Sequence, residues 1–220
     1  MLIIGLCGRK QVGKDSFAKF GTEMVELSGK TAANTSFAYP LKRFVVDYLG
    51  VPSELPFGSN DDKDAIMGDW GHFFNEEICS KSGKSTEDEA SVRDLLQVIG
   101  TDVFRKMSLN FWVNVFKLRM GRETYDTDTS STPDVVFVTD IRFQNEVEAV
   151  KSLGGYVVKI ERQQYSDNHD SEACVDEIDE TLFDEILEGP SIEGLDNLKE
   201  NVFRVLQQNG VFDLEVGGTL

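Results

Sequence analysis

Cysteine is scarce in this 220-residue chain: three residues, Cys7, Cys79 and Cys174, stand far apart with no C-x-x-C pair among them. Only two histidines, His72 and His169, are available to join them. An odd, scattered set of this kind argues against a disulfide framework or a zinc site, and three reduced thiols in a cytoplasmic compartment are expected. Long apolar runs are also missing. The first seven residues are apolar but far too short for a signal sequence or a membrane span, and Arg9 and Lys10 follow at once. No membrane partner is expected. Positive charge is in short supply, with 22 Lys and Arg against 39 Asp and Glu and a formal net charge of −17. Nucleic-acid binders usually carry a basic face, so no nucleic-acid polymer is expected as a partner. A small anion stays compatible if the few cations converge on one pocket, because local potential matters more than the total. Repeats and low-complexity tracts are absent, as are the G-x-S-x-G elbow of serine hydrolases and a guanine-reading N-K-x-D sequence.

What the chain does have is an alternation of apolar strands and amphipathic helices. "LIIGLC" (2–7) reads as a buried parallel strand, and residues 14–27 carry apolar side chains at helical spacing. "TAANTSFAY" (31–39) reads as a second strand. "PLKRFVVDYLG" has proline at its start and glycine at its end, as a helix would. Residues 50–90 show no clear period, and loops with short helices are expected there. A helical region follows from Val92, with a break expected at Gly100, and "SLNFWVNVFKLRM" (108–120) reads as another helix with Ser108 as a cap. "DVVFVTD" (134–140) and "YVVKIER" (156–162) read as strands around a helix over "QNEVEAVKSLGG". "LFDEILEG" (182–189) reads as a last strand and 192–210 as a closing helix. Such alternation argues for a parallel sheet covered by helices on both faces. The long stretch between the second and third strands exceeds an ordinary crossover and reads as an inserted substrate-binding region.

"GLCGRKQVGKDSFAKF" (5–20) carries the strongest chemical signal. Gly8, four residues, then Gly13-Lys14 follow an apolar strand and open a helix, the context that gives a phosphate-binding loop its meaning. Glycines let the backbone curl so that N–H groups point inward, and the helix terminus adds partial positive charge. Lys14 then reaches the β- and γ-phosphates as a point charge. The motif asks next for Ser or Thr on a magnesium ion, and this chain has Asp15 there with Ser16 one place later. Asp15 can bind the ion or one of its waters, Ser16 can supply the hydroxyl in a shifted register, or Asp15 can be only a helix-start residue. Asp140 ends a buried strand, where metal- or water-binding carboxylates of such sheets lie, and Arg142 follows two residues later. Arg93 and Gln97, four apart, share a helix face suited to a phosphate and a base, and Arg105 lies on about the same face if the helix continues. Arg162 opens a polar, acidic loop (163–180) and is a candidate nucleotide contact. His169, Ser171 and Glu172 within that loop show no nucleophile signature.

Taken together these motifs resemble the deoxynucleoside monophosphate kinases of large tailed phages, within the P-loop nucleoside monophosphate kinase group. The resemblance runs over about residues 2–206 and is weakest in 50–90. It rests on "GRKQVGKDS", "FAYPLK", "VRDLLQVIGTDVFR" followed by "FWV", "VTDIRFQNEVEAVKSLGGYVVKIER" and "NHDSEA". It implies an α/β P-loop kinase fold with a five-stranded parallel sheet flanked by helices, a helical substrate-binding insertion and a lid. The core would comprise 1–39, 134–162 and 181–208, the insertion 40–133, the lid 163–180 and the tail 209–220. It implies transfer of the γ-phosphate of ATP to a deoxynucleoside monophosphate with Mg2+, in the host cytoplasm if phage-encoded, and leaves a homodimer open. Gly8, Lys10, Gly13, Lys14, Asp15, Ser16 and Arg162 would hold the donor. Asp15, Ser16 and Asp140 would serve the metal, and Lys14, Asp140 and Arg142 the transfer. Lys42, Arg93, Gln97, Arg105 and Trp112 would form the acceptor seat. The lid has no arginine between 163 and 180, which shifts weight to Arg142 and Lys10. Competing readings are another small-molecule P-loop kinase, acting on dephospho-coenzyme A or phosphomevalonate, a nucleotide-binding protein that hydrolyses slowly or not at all, and an inert domain with degenerate loops.

Overall fold

The computed structural model describes residues 1–66, 75–85, 88–121, 132–161, 174–190 and 195–212. Five strands form one parallel sheet in the order β2-β3-β1-β4-β5: β1 Leu2–Cys7, β2 Ala32–Thr35, β3 Val135–Ile141, β4 Tyr156–Glu161 and β5 Glu185–Glu188. β1 lies in the middle, with Ile4 opposite Phe137 on one side and Tyr156 on the other. The strands of this centre are apolar because both sheet faces are covered. Helix α1 (Lys14–Leu27) turns Phe17, Ala18, Gly21 and Val25 inward, and the last helix, Asp196–Gln208, turns Leu198, Val202, Val205 and Leu206 inward. These residues pack with Ile4, Leu6, Phe137, Val158 and Ile160 into one core. Each such side chain, fully buried, contributes roughly 1.5–3 kcal/mol. Gly21 lets α1 approach β3 closely, since a Cβ there would stand 2.4 Å from Phe137 Cζ.

The first unit, Met1–Phe37 with Lys117–Leu220, holds this sheet. The second, Ala38–Phe116, is helical: α2 (Tyr39–Leu49), the short α3 (Glu54–Phe57) and α4 (Asn60–Lys63), α5 (Asn75–Ser82), α6 (Val92–Gln97), and a π-helical segment, Val98–Arg105. Its core joins Leu41, Val45, Cys79, Val92, Leu95, Val98 and Trp112. The unit ends inside α7 (Phe111–Met120), short of the expected boundary at 133.

Several expectations shift in detail. The second strand stops at Thr35, not 39, because the Phe37 amide donates to Asp140 Oδ1 at 2.7 Å and α2 starts at Tyr39. Gly100 does not break its helix. The chain continues through it in wider π turns, and the glycine serves a close approach, its Cβ position lying 2.8 Å from Leu41 Cδ2. The wider turn also removes the α-helical spacing that would align Arg105 with Arg93. The last strand starts at Glu185 because Glu180–Leu182 form a 3-10 turn, with the Thr181 amide donating to Asp179 at 2.9 Å. Between β3 and β4 lies α8 (Gln144–Ser152), and α9 is the closing helix, Asp196–Gln208.

Candidate active site

The strand order reverses direction at β1, with β3 on one side and β4 on the other. In open parallel sheets that switch point, beyond the carboxyl ends, is where ligands bind. The loop leaving β1 sits there. Gly8 and Gly13 adopt φ of 147° and 109°, and Gln11 between them adopts 63°. Side chains rarely tolerate such values, so the curl is bought with glycine. Space enforces the same choice: a Cβ on Gly8 would stand 2.4 Å from the Ile160 carbonyl oxygen, and one on Gly13 2.7 Å from Pro190 Cδ. Helix α1 begins at this loop with Gly13 at its N-cap and no side-chain cap. Its first-turn amides therefore suit an anion.

Lys14 is 9% exposed and folds back over the loop, its Nζ donating to the carbonyls of Gly8 and Arg9 at 2.5 Å each. The ammonium is thus held at the loop. Lys10 and Asp15 are exposed, and Ser16 is half-buried in the first turn of α1. Asp140 and Arg142, both half-buried, bracket Ile141 at the end of β3. One Asp140 oxygen is spent on the Phe37 amide.

In the helical unit Lys42 lies over the Phe57 ring, 5.4 Å from its centroid. Arg93 is engaged: its Nε donates to Asp64 at 2.5 Å and its Nη2 to Asn60, tying α6 to α4. Gln97 is exposed at the end of α6, and Arg105, half-buried, closes the π segment. Trp112 is a core residue. It is 7% exposed, its indole N–H donates to the Gly100 carbonyl at 3.0 Å, and its ring meets Phe104 and Phe111 edge-on. Arg162, His169, Ser171 and Glu172 lie outside the described residues.

Three site-adjacent residues escaped the sequence reading. Lys159, on β4 directly opposite Cys7, is buried and pairs with Glu161 at 2.6 Å and Glu180 at 2.8 Å. Burial pulls its pKa down, but the two carboxylates outweigh this and raise it, so the ammonium is charged. A lysine inside the apolar run "YVVKIE" was the available signal. Arg9 pairs with Asp176, so the acidic 174–180 stretch meets the glycine loop through a carboxylate. Glu146, in α8, is buried at 2% exposure. Around them, burial pushes the Cys7 thiol up to about 11 against the pull of Lys14 and Lys159. The thiol is neutral and is not a nucleophile.

A curled glycine loop with a buried lysine, at the switch point of a five-stranded parallel sheet, is consistent with an α/β P-loop kinase fold. A profile of the deoxynucleotide monophosphate kinase family matches residues 57–196. A mimivirus protein (Acanthamoeba polyphaga mimivirus) provisionally named deoxynucleotide monophosphate kinase is 29% identical over 178 residues, 78% of this chain and 81% of that protein. The deoxynucleotide monophosphate kinase of Enterobacteria phage T4 is 32% identical over 123 residues, 54% of this chain and 48% of that enzyme. The chain belongs to the deoxynucleotide monophosphate kinase family. The family match begins beyond the glycine loop, so the loop geometry is an independent observation. Among the described residues no helix is long and apolar enough to cross a membrane.

Proposed function

We propose that this protein transfers the γ-phosphoryl group of ATP to the 5′-phosphate of a deoxynucleoside monophosphate. The observation that carries the reading is Lys14, buried and fixed over a curled loop, in a chain of this family. An oxygen of the acceptor phosphate bonds to the γ-phosphorus while the bond to the β,γ-bridging oxygen breaks, giving ADP and a deoxynucleoside diphosphate. A phosphate monoester has its second pKa near 6 and is largely dianionic at neutral pH. No strong base is needed, and catalysis is positioning and charge neutralisation. Gly8, Gly13, Ser16 and the α1 amides hold the donor phosphates, with Lys14 on the transferring group and Lys10 beside it. Arg142 neutralises charge as it develops. Lys42, Gln97 and Arg105 serve the acceptor. Arg93 takes a phosphate only by giving up Asp64, and Trp112 supports the seat from the core.

Among the described residues no group of three or more His, Cys, Asp or Glu is gathered to hold a metal. Asp15, Ser16 and Asp140 instead fit an ion whose main ligands are phosphate oxygens and water, as is usual for Mg2+. When bound, it neutralises phosphate charge and orients the γ-phosphoryl group. The setting we infer is deoxynucleotide synthesis in a virus-infected cell's cytoplasm, on free nucleotides and not on nucleic acid.

A coupled assay of ADP release, run with each common deoxy- and ribonucleoside monophosphate, tests this. Magnesium-dependent turnover with one or more deoxynucleotides is expected. Turnover only with dephospho-coenzyme A or phosphomevalonate, or none with any acceptor despite ATP binding, would refute it.

A further inference from the structure

Glu146 is the one buried carboxylate among the described residues. A carboxylate out of water is costly unless donors surround it. Two backbone amides donate to it: Oε2 accepts from Phe143 N at 3.2 Å and from Arg142 N at 2.9 Å. The first of these is half of an ordinary capping box, in which the third helical residue reaches back to the N-cap amide. Phe143 has no side-chain oxygen to return the bond. The second goes further, to the residue before the cap. β3 ends at Ile141, so the first residue to leave the sheet is Arg142, and its amide is the shorter of the two contacts. Cys7, the last residue of β1 before the glycine loop, pairs with Ile141, directly before Arg142, so the turn that Glu146 holds lies beside the foot of that loop.

We propose that Glu146 is a positioning residue for Arg142, its buried carboxylate fixing the β3–α8 turn so that the guanidinium is presented from one place. The proposal rests on the reading of Arg142 as a phosphate-facing group. A carboxylate that served only as a helix cap would need the Phe143 amide and no more, and would not need burial.

The test is a double-mutant cycle on the full chain with Glu146→Gln, Arg142→Ala and the pair, reading kcat, the KM for each nucleotide and thermal unfolding. Glu146→Gln keeps the shape and removes the charge. It is expected to lower kcat roughly 10- to 100-fold with KM little changed. In the Arg142→Ala background the same change should alter kcat less than about threefold, since the two act as one unit. Independent, multiplying losses would overturn the proposal, as would a lowered Tm with unchanged kcat, the signature of a cap alone. If Arg142→Ala retains full turnover, the proposal falls while the kinase reading stands. If the wild type phosphorylates no deoxynucleotide, both fall. Should Glu146→Gln not fold, amide exchange in the wild type decides: protection of Arg142 N–H equal to that of β3 supports the clamp, and exchange at open-loop rates overturns it.

Discussion

Replacing Lys14 by methionine keeps the length of the side chain and removes its charge. In the structure Lys14 is 9% exposed and its Nζ donates to two carbonyls at 2.5 Å each, so on the proposed reading it meets a phosphate already placed. Losing one preorganised electrostatic contact of that kind costs about 2.7–4 kcal/mol of transition-state stabilisation, or roughly 10²–10³ in kcat. Stability should respond differently. The two charge-assisted bonds are worth about 1.5–3 kcal/mol each, while burying an ammonium costs several kcal/mol. The terms oppose one another, and the net change in unfolding free energy is expected to stay within about 2 kcal/mol. The measurement is initial ADP release at saturating ATP and acceptor, paired with urea unfolding. A folded Lys14→Met protein with kcat within tenfold of wild type would refute the role of this lysine. A variant that loses activity only in proportion to its unfolded fraction would refute it equally.

Asp15→Ser restores the usual residue after the loop lysine. It should shift the magnesium concentration for half-maximal rate more than the KM for ATP, and an unchanged metal titration would retire the carboxylate from that role. Gly21→Ala places a methyl group 2.4 Å from Phe137 Cζ. It should cost about 1–3 kcal/mol in urea unfolding, with kcat preserved in the folded fraction. Asp94 caps α6 by accepting from the Ser91 amide and from Lys84 at 2.6 Å. Burial raises its pKa, but the bonds from Lys84 and Ser91 outweigh this and hold it below the usual value. A depressed carboxylate stabilises the fold above its unfolded pKa and loses that contribution as pH falls through the folded one. Asp94→Ala should therefore cost about 1–2 kcal/mol at pH 7, with the gap to wild type closing below about pH 4. Ionic strength is a further probe: between about 0.01 and 0.1 M salt the Debye length falls from roughly 30 to 10 Å. The ATP kcat/KM is expected to hold or rise over that range, because the surface repels the anion. A steep fall would mean that surface cations guide it in.

Much of this arrangement was legible in the residues themselves. Gly8, Gly13 and Lys14 declare the loop because two glycines at that spacing permit its close turns and a lysine after the second supplies charge, and the apolar runs at 2–7, 134–140 and 156–162 declare strands. Ends were harder to read. The second strand stops early because Asp140, about a hundred residues away, takes the Phe37 amide, and no local pattern carries that information. Gly100 looks like a helix stop and is instead a contact with Leu41 inside a π segment. Trp112, which the resemblance sets in the acceptor seat, is a core residue with its N–H satisfied at Gly100. Arg93 looks available for a phosphate and spends its donors on Asp64 and Asn60. In each case the side-chain chemistry was legible and the partner was not, because the partner is supplied by the fold.

The charge of the molecule is best understood as two layers of opposite sign. The chain as a whole carries −17, yet the charged residues buried among the described ones are two lysines, Lys14 and Lys159, and one glutamate, Glu146. Lys159 stands opposite Cys7 at the end of β1, and Lys14 folds over the loop that follows. A charge in that position is screened far less by salt and water than one on the surface. On the proposed reading, the acidic exterior sets how often an anion arrives, and Lys14 sets how tightly its phosphates are held once it does. An excess of acid outside therefore does not argue against a polyanionic ligand, provided that the fold places a few cations where water does not reach. Glu146 tempers that interior charge. It also fixes the backbone from which Arg142 extends, so a single carboxylate joins the electrostatics of the loop to the geometry of the turn beside it.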